Sequence, residues 1–167
     1  MQTCLGFVTN TLAFIFITMK INKIGLASDH AGYALKQFVK KYLQEKDIAF
    51  KDYGTDTEES CDYPDYAHAL AKGIENGDVY PGIAICGSGE GISMTLNKHQ
   101  GIRAALAWMP EIARLSRAHN DANVLVMPGR FIEENTARCV MDEFLTTDFE
   151  GGRHQRRIDK IPCANDK

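Results

Sequence analysis

Short runs of consecutive apolar residues alternate along the chain with longer stretches in which apolar residues recur every three or four positions. Ile24 to Ala27 is one such run and ends at Ser28-Asp29, and Leu35, Phe38, Val39, Tyr42 and Leu43 then follow at helical spacing. Ile48 to Tyr53 predicts a second strand. A polar loop from Gly54 to Ser60 separates it from a helix opened near Pro64, with Ala67, Leu70, Ala71 and Ile74 as its apolar stripe. Ile83 to Cys86 predicts a third strand that runs into Gly87-Ser88-Gly89-Glu90-Gly91, after which Ile92 to Lys98 reads as helix. Ile102 to Trp108 predicts a fourth strand. Pro110 opens a helix that carries Ile112, Leu115 and His119 along one side, and Val124 to Met127 predicts a fifth strand. Pro128-Gly129-Arg130 turns the chain into a last amphipathic stretch with Ala137, Val140, Met141, Phe144 and Leu145.

Strand and helix units of about 30 residues are the length of βαβ modules. Strands that are apolar throughout, rather than at alternate positions, are buried on both faces. The pattern therefore predicts an α/β fold, a Rossmann-like three-layer sandwich on a five-stranded parallel sheet. Ligands bind such sheets beyond the carboxyl ends of their strands. That places weight on Ser28-Asp29-His30, on Cys86 to Gly91, on Trp108-Met109-Pro110 and on Gly129-Arg130.

The chain has 167 residues, 22 acidic and 19 basic side chains and an apolar content of 44%, which is ordinary for one folded domain and excludes disorder. The charges are unevenly placed, because residues 1 to 19 contain none. The longest unbroken apolar run there, Leu12 to Ile17, is far short of the roughly 20 residues of a spanning helix. It has neither the basic start nor the cleavage site of a secretory signal. Residues 1–18 are expected to be a dispensable extension, and residues 19–167 a single domain that starts naturally at Met19. Five scattered cysteines with no C-x-x-C pair suggest neither a disulfide framework nor a zinc site, and a cytoplasmic setting. An acidic chain without a long basic tract is a poor partner for nucleic acid, and no membrane partner is expected.

Each candidate for chemistry has a plain structural alternative. The alternating Gly87, Gly89 and Gly91 make either a tight strand-to-helix turn or a cradle of N–H groups for an anion. The loop fits neither nucleotide motif, since Ile92 stands where a third Rossmann glycine belongs and no Gly-Lys-Ser/Thr follows. It contains no arginine, which argues against a cysteine phosphatase. Cys86 is either a small buried apolar residue or a thiolate favoured by a helix N-terminus. Asp29 is a helix cap or a carboxylate for hydroxyl protons, and His30 is a surface residue or a phosphate ligand. His119-Asn120 reads equally as a helix C-terminal signal. Arg153 and Arg157, four apart, form a solvated basic face or an anion clamp, to which Arg130 would be a third prong. His68 and His99 have no polar companion in register and are taken as structural. No cluster has metal-ligand spacing, so no metal is expected.

At these same residues the sequence resembles the ribose-5-phosphate isomerase type B family, which also holds allose-6-phosphate and galactose-6-phosphate isomerases. The matching stretches are Ser-Asp-His-Ala-Gly at 28–32, Asp-Tyr-Pro at 62–64, Cys-Gly-Ser-Gly-Glu-Gly-Ile at 86–92 and Asn-Lys at 97–98. Gly-Ile-Arg-Ala at 101–104, Leu-Ser-Arg-x-His-Asn-Asp-x-Asn at 115–123 and Gly-Gly-Arg-His-Gln-Arg-Arg at 151–157 complete the set. The resemblance implies interconversion of ribose 5-phosphate and ribulose 5-phosphate through a cis-enediol, within the pentose phosphate pathway and without a cofactor. It makes Cys86 the base and His119 the proton donor, with Asp29 assisting ring opening. Gly87, Ser88, Gly89, Glu90 and Gly91 would hold the enediolate, Tyr63 and Asn120 the sugar hydroxyls, and His30, Arg130, Arg153 and Arg157 the phosphate. Some members place a glutamate base just after the loop's last glycine. Here Ile92 occupies that position, which leaves the role to Cys86. A homodimer or homotetramer with shared sites is also implied. The alternatives are a six-carbon sugar phosphate isomerase and a non-catalytic sugar-phosphate binder.

Overall fold

The computed structural model describes residue 21 and residues 23–162. The expected extension, residues 1–18, lies outside them. The strands are β1 (Ile24–Ser28), β2 (Phe50–Asp52), β3 (Gly82–Cys86), β4 (Ala104–Leu106) and β5 (Val124–Pro128). The helices are α1 (Tyr33–Glu45), α2 (Tyr63–Glu75), α3 (Glu90–Leu96), α4 (Pro110–Asn120), α5 (Glu134–Thr146) and α6 (Arg153–Ile158). All strand pairs are parallel, in the order β2-β1-β3-β5-β4, so the expected doubly wound sheet is present.

Alternation along the strands explains why both faces are covered. Ile24, Leu26, Ile83, Ile85, Leu125 and Met127 face a layer that holds apolar residues of α1, α4 and α5, including Val39, Ala113 and Phe144. The intervening Ala27, Ala84, Cys86, Val124 and Val126 face α2 and α3 through Ala67, Leu70, Ile92 and Leu96. The three central strands β1, β3 and β5 are thus buried at every position, which is what their unbroken apolar runs require, whereas the edge strand β2 leaves Lys51 exposed.

The fourth strand is shorter than its apolar run. Asn97 replaces a sixth strand beside it, its Oδ1 accepting from the Ala104 N–H at 2.9 Å and its Nδ2 donating to the Ala104 carbonyl at 2.9 Å. Asn123 Oδ1 takes the Arg103 N–H at 2.8 Å, just before the same end of the strand. Side chains that satisfy backbone groups in this way blunt an edge that would otherwise recruit further strands. Among the described residues no helix is long and apolar enough to cross a membrane. Cys61 and Cys86 are free thiols, whereas Cys139 is disulfide-bonded, an exception to the reading of the cysteines as unpaired.

Candidate active site

The chain leaves β1 toward one side of the sheet and β3 toward the other, which opens a crevice beyond their carboxyl ends. Asp29, buried at the end of β1, donates its N–H to the Ile85 carbonyl at 3.3 Å and so joins the tip of β3. Its Oδ1 accepts from the Gly32 N–H at 2.9 Å, so the cap reading of this residue holds whatever else it does. His30 Nδ1 accepts from the Cys61 N–H at 3.2 Å, which places the proton of the neutral ring on Nε2.

Cys86 is the last residue of β3 and only 4% exposed. Its carbonyl accepts from the Gly129 N–H at 2.9 Å, and the next carbonyl, that of Gly87, accepts from the Arg130 N–H at 3.0 Å. These two bonds splice the turn after β5 to the glycine loop. The Arg130 side chain lies over Gly87, where an added Cβ would sit 3.5 Å from its Cδ and Nε. The loop turns into α3 at Gly89, whose φ of +81° is a left-handed conformation that a side chain would strain. Ser88 Oγ accepts from the Glu90 N–H at 3.3 Å, so the hydroxyl caps the loop's own backbone. Glu90 points its carboxylate outward from the first turn of α3 and is exposed. The ring of Tyr63, at the start of α2, packs on Gly91, where an added Cβ would meet its Cζ at 2.5 Å.

Asp29, His30, Tyr63, Gly87, Ser88, Gly89, Glu90, Gly91 and Arg130 are thereby gathered around Cys86 at one edge. The remaining expected residues are not there. His119 and Asn120 end α4, just before β5 begins, whereas Cys86 pairs with Pro128, the last residue of β5. The five steps from Asn123 to Pro128 span about 16 Å, so the two sets lie at opposite edges of the sheet. Arg153 and Arg157 do share α6, as their spacing predicts, but α6 rests on α4 near that far edge. The four residues expected to hold the phosphate are therefore divided within a single chain, His30 and Arg130 at one edge and Arg153 and Arg157 at the other. The reason is topological: the helix that precedes a parallel strand delivers its last turn to the strand's start.

At the far edge the His119 and His154 rings stack with centroids 4.2 Å apart and planes within 4°. Glu150 Oε2 lies 3.7 Å from His119 Nε2 and 3.5 Å from His154 Nε2. Among the described residues this is the group whose ligand atoms, all within 4.8 Å of one another, come nearest to a metal site. The donor set does not suit one, because parallel rings do not aim their lone pairs at a common point and Arg153 Nε already donates to His154 Nε2 at 3.3 Å. Sequence reasoning missed Glu150 and His154, although their four-residue spacing across Gly151-Gly152 was a signal. It also left His68 and His99 without companions. Their nitrogens meet at 2.8 Å, and His99 Nδ1 reaches Glu75 Oε2 at 3.2 Å, because the turn after α3 folds His99 back onto α2.

The chain matches a family model described as Ribose/Galactose Isomerase over residues 24–161. It is 42% identical to ribose-5-phosphate isomerase B of Escherichia coli over 88% of this chain and 99% of that protein. A crystal structure of a ribose 5-phosphate isomerase from Thermotoga maritima superposes with a TM-score of 0.83 at 50% identity, covering 86% of this chain and 98% of that one. Ribose-5-phosphate isomerase B from Mycoplasma genitalium, solved with bound ribulose-5-phosphate, gives a TM-score of 0.78 at 43% identity over 83% of this chain and 93% of that one. With the family pattern running through both sheet edges and nearly the whole length of each relative, this chain belongs to the ribose/galactose isomerase family.

Proposed function

We propose that this protein interconverts ribose 5-phosphate and ribulose 5-phosphate, with Cys86 as the base that moves the proton. The observation that carries the reading is the placement of a buried, free Cys86 thiol at the root of a glycine loop that opens a helix beside Asp29. In the open-chain aldose the thiolate takes the C2 proton, and electrons move through C1 onto O1 to give the cis-enediolate. Loop N–H groups at the start of α3 stabilise that developing oxyanion, which is where charge appears in the transition state. Protonation of O1 and loss of the O2 proton, with return of the carbon-bound proton to C1, yields the ketose. One base and one donor suffice, and no redox cofactor takes part.

His119 serves as the donor and, with Asp29, opens the furanose ring. Tyr63 and Asn120 hold the sugar hydroxyls. The phosphate is held by His30, Arg130, Arg153 and Arg157. Since His119 and Cys86 lie at opposite edges of one chain, the complete pocket needs the far edge of a second copy. Phe131 is 76% exposed after β5, and Trp108 and Met109 are exposed after β4, an apolar rim at the carboxyl edge that a second copy would cover. A two-fold pair would complete both pockets at once and keep water from the enediolate, which otherwise expels its phosphate. A cytoplasmic setting suits a base that must stay reduced.

The deciding experiment is a coupled assay on ribose 5-phosphate with wild-type and Cys86→Ala protein, with allose 6-phosphate as competitor substrate. Loss of at least a hundredfold in kcat is expected for the variant, in line with removal of a general base. Near wild-type turnover by Cys86→Ala would overturn the assignment of the base. A higher kcat/KM on allose 6-phosphate would move the reading to a six-carbon substrate, and binding without turnover would make the protein a sensor.

A further inference from the structure

We infer that His154 and Glu150 are positioning residues for His119: the buried ring of His154 fixes the plane of the His119 ring, and the Glu150 carboxylate, 3.7 Å away, attracts its Nε2 edge as a neighbouring charge. The inference rests on the reading of His119 as the proton donor. It starts from the segment between α5 and α6, which packs on the end of α4. The Glu150 N–H donates to the Ala118 carbonyl at 3.0 Å, which pins Glu150 beside His119 on the last turn of α4. Gly151 and Gly152 then adopt φ of +67° and +55°, and this double left-handed step folds the chain back so that His154 returns over His119. An added Cβ at either glycine would meet nothing within 4 Å, so the demand there is on the backbone alone.

The two histidines are not equivalent. His154 is 6% exposed, whereas the side chain of His119 stays partly open to solvent. Arg153 Nε donates to His154 Nε2, which occupies that lone pair and leaves the ring proton on Nδ1. Burial first, then the neighbouring His119 and Arg153, hold His154 below the ordinary histidine range. A neutral ring can lie flat on an imidazolium without like-charge repulsion, so His154 is suited to be the frame and His119 the moving part. A donor whose ring plane is preset loses less to misalignment at the moment of transfer.

The test uses the full-length protein with His154→Leu, His154→Phe, Glu150→Gln and His119→Asn, read by steady-state kinetics on ribose 5-phosphate and by proton NMR of the His119 ring. His154→Leu should lower kcat roughly tenfold with KM within about twofold, and His154→Phe, which restores an aromatic face, should recover most of it. Glu150→Gln, at an exposed position that folding tolerates, should lower kcat about threefold. The His119 ring protons should lose their stacking shift in His154→Leu and keep it in His154→Phe. In a His119→Asn background, His154→Leu should cost nothing further. Equal losses in His154→Leu and His154→Phe, or an unmoved His119 resonance in His154→Leu, would overturn the inference. Full activity in His119→Asn would instead sink the donor reading, while the NMR comparison would still decide whether the pair orients the ring.

Discussion

Lys36→Met is the most demanding test of how the carboxyl edge is held. Lys36 is fully buried in α1, and its Nζ donates to Asp52 Oδ1 at 2.6 Å and to the Thr55 carbonyl at 2.7 Å. Asp52 also accepts from Lys40 at 3.1 Å and from the Gly54 N–H at 3.0 Å. The same loop runs beside β1, the Ser28 N–H donating to the Gly54 carbonyl at 2.7 Å and the Thr55 N–H to the Ser28 carbonyl at 2.8 Å. The ammonium therefore ties α1 to the segment flanking Asp29. Methionine keeps the volume but leaves the Thr55 carbonyl without its donor and Asp52 with a weaker set of partners. Breaking one side of a buried pair costs about 3–5 kcal/mol, and the surviving Lys40 and Gly54 contacts place the expected loss near the lower end, about 3 kcal/mol. Burial works to raise the Asp52 carboxyl, but the Lys36 bond, the Gly54 N–H and Lys40 outweigh it and hold it below its ordinary 3.8. The native state thus binds that proton less readily than the unfolded chain. The contribution is complete above pH 3.8 and is lost as pH falls through the lower native value. Urea unfolding of wild type, Lys36→Met and Lys36→Met/Asp52→Leu at neutral and acid pH measures it. The double variant should be less stable than the single one, because Asp52→Leu also strands the Gly54 N–H and Lys40 while the Thr55 carbonyl stays without its donor, and the gap between wild type and Lys36→Met should narrow at low pH. A single variant within about 0.5 kcal/mol of wild type, or a gap indifferent to pH, would refute the reasoning.

Gly91→Ala should raise KM several-fold with little change in kcat. The added methyl meets the Tyr63 ring, a half-open side chain that can swing aside, so the protein stays folded while a sugar-hydroxyl contact worth about 1 kcal/mol is lost. Unchanged KM would remove Tyr63 from the site. His154 predicts a second acid-sensitive element. Its depressed value means the folded state favours the neutral ring, so its contribution is present above pH 6.5 and is lost as pH falls through the native value. The groups that face it are His119, Arg153, Arg157 and Glu150. Thermal melts of wild type against His154→Phe should converge as the pH drops below 6.5, and parallel curves would contradict this.

The layers of the fold were legible because they depend on local alternation: Ile83 to Cys86 could be read as a doubly buried strand without knowing its neighbours. Strand ends were less so, since β4 begins only at Ala104, where Asn97 and Asn123 take over the backbone of Ala104 and Arg103, and nothing in the apolar pattern around Ile102 records that. The near half of the site was legible for the same local reason, as Asp29, Cys86 and Arg130 each directly follow or end a strand. His119 and the two arginines of α6 were recognisable as residues but not as a place. Where they lie depends on the topology of β4, α4 and β5, a long-range property that spacing does not encode. His154 escaped notice because its partner is a ring in another helix, and His99 because a turn, not a periodic face, brings it to His68.

The separation of the proposed base and donor between the two edges also governs how damage is inherited. In the proposed pair, a chain without Cys86 and a chain without His119 are each inert when they assemble with their own kind. Mixed together, every hybrid pair holds one pocket with both defects and one with neither. Random assembly of equal amounts should then return about a quarter of the wild-type rate from two dead proteins. Dilution acts in the opposite sense, since a lone chain of either kind, or of the wild type, has no partner to lend it the missing half.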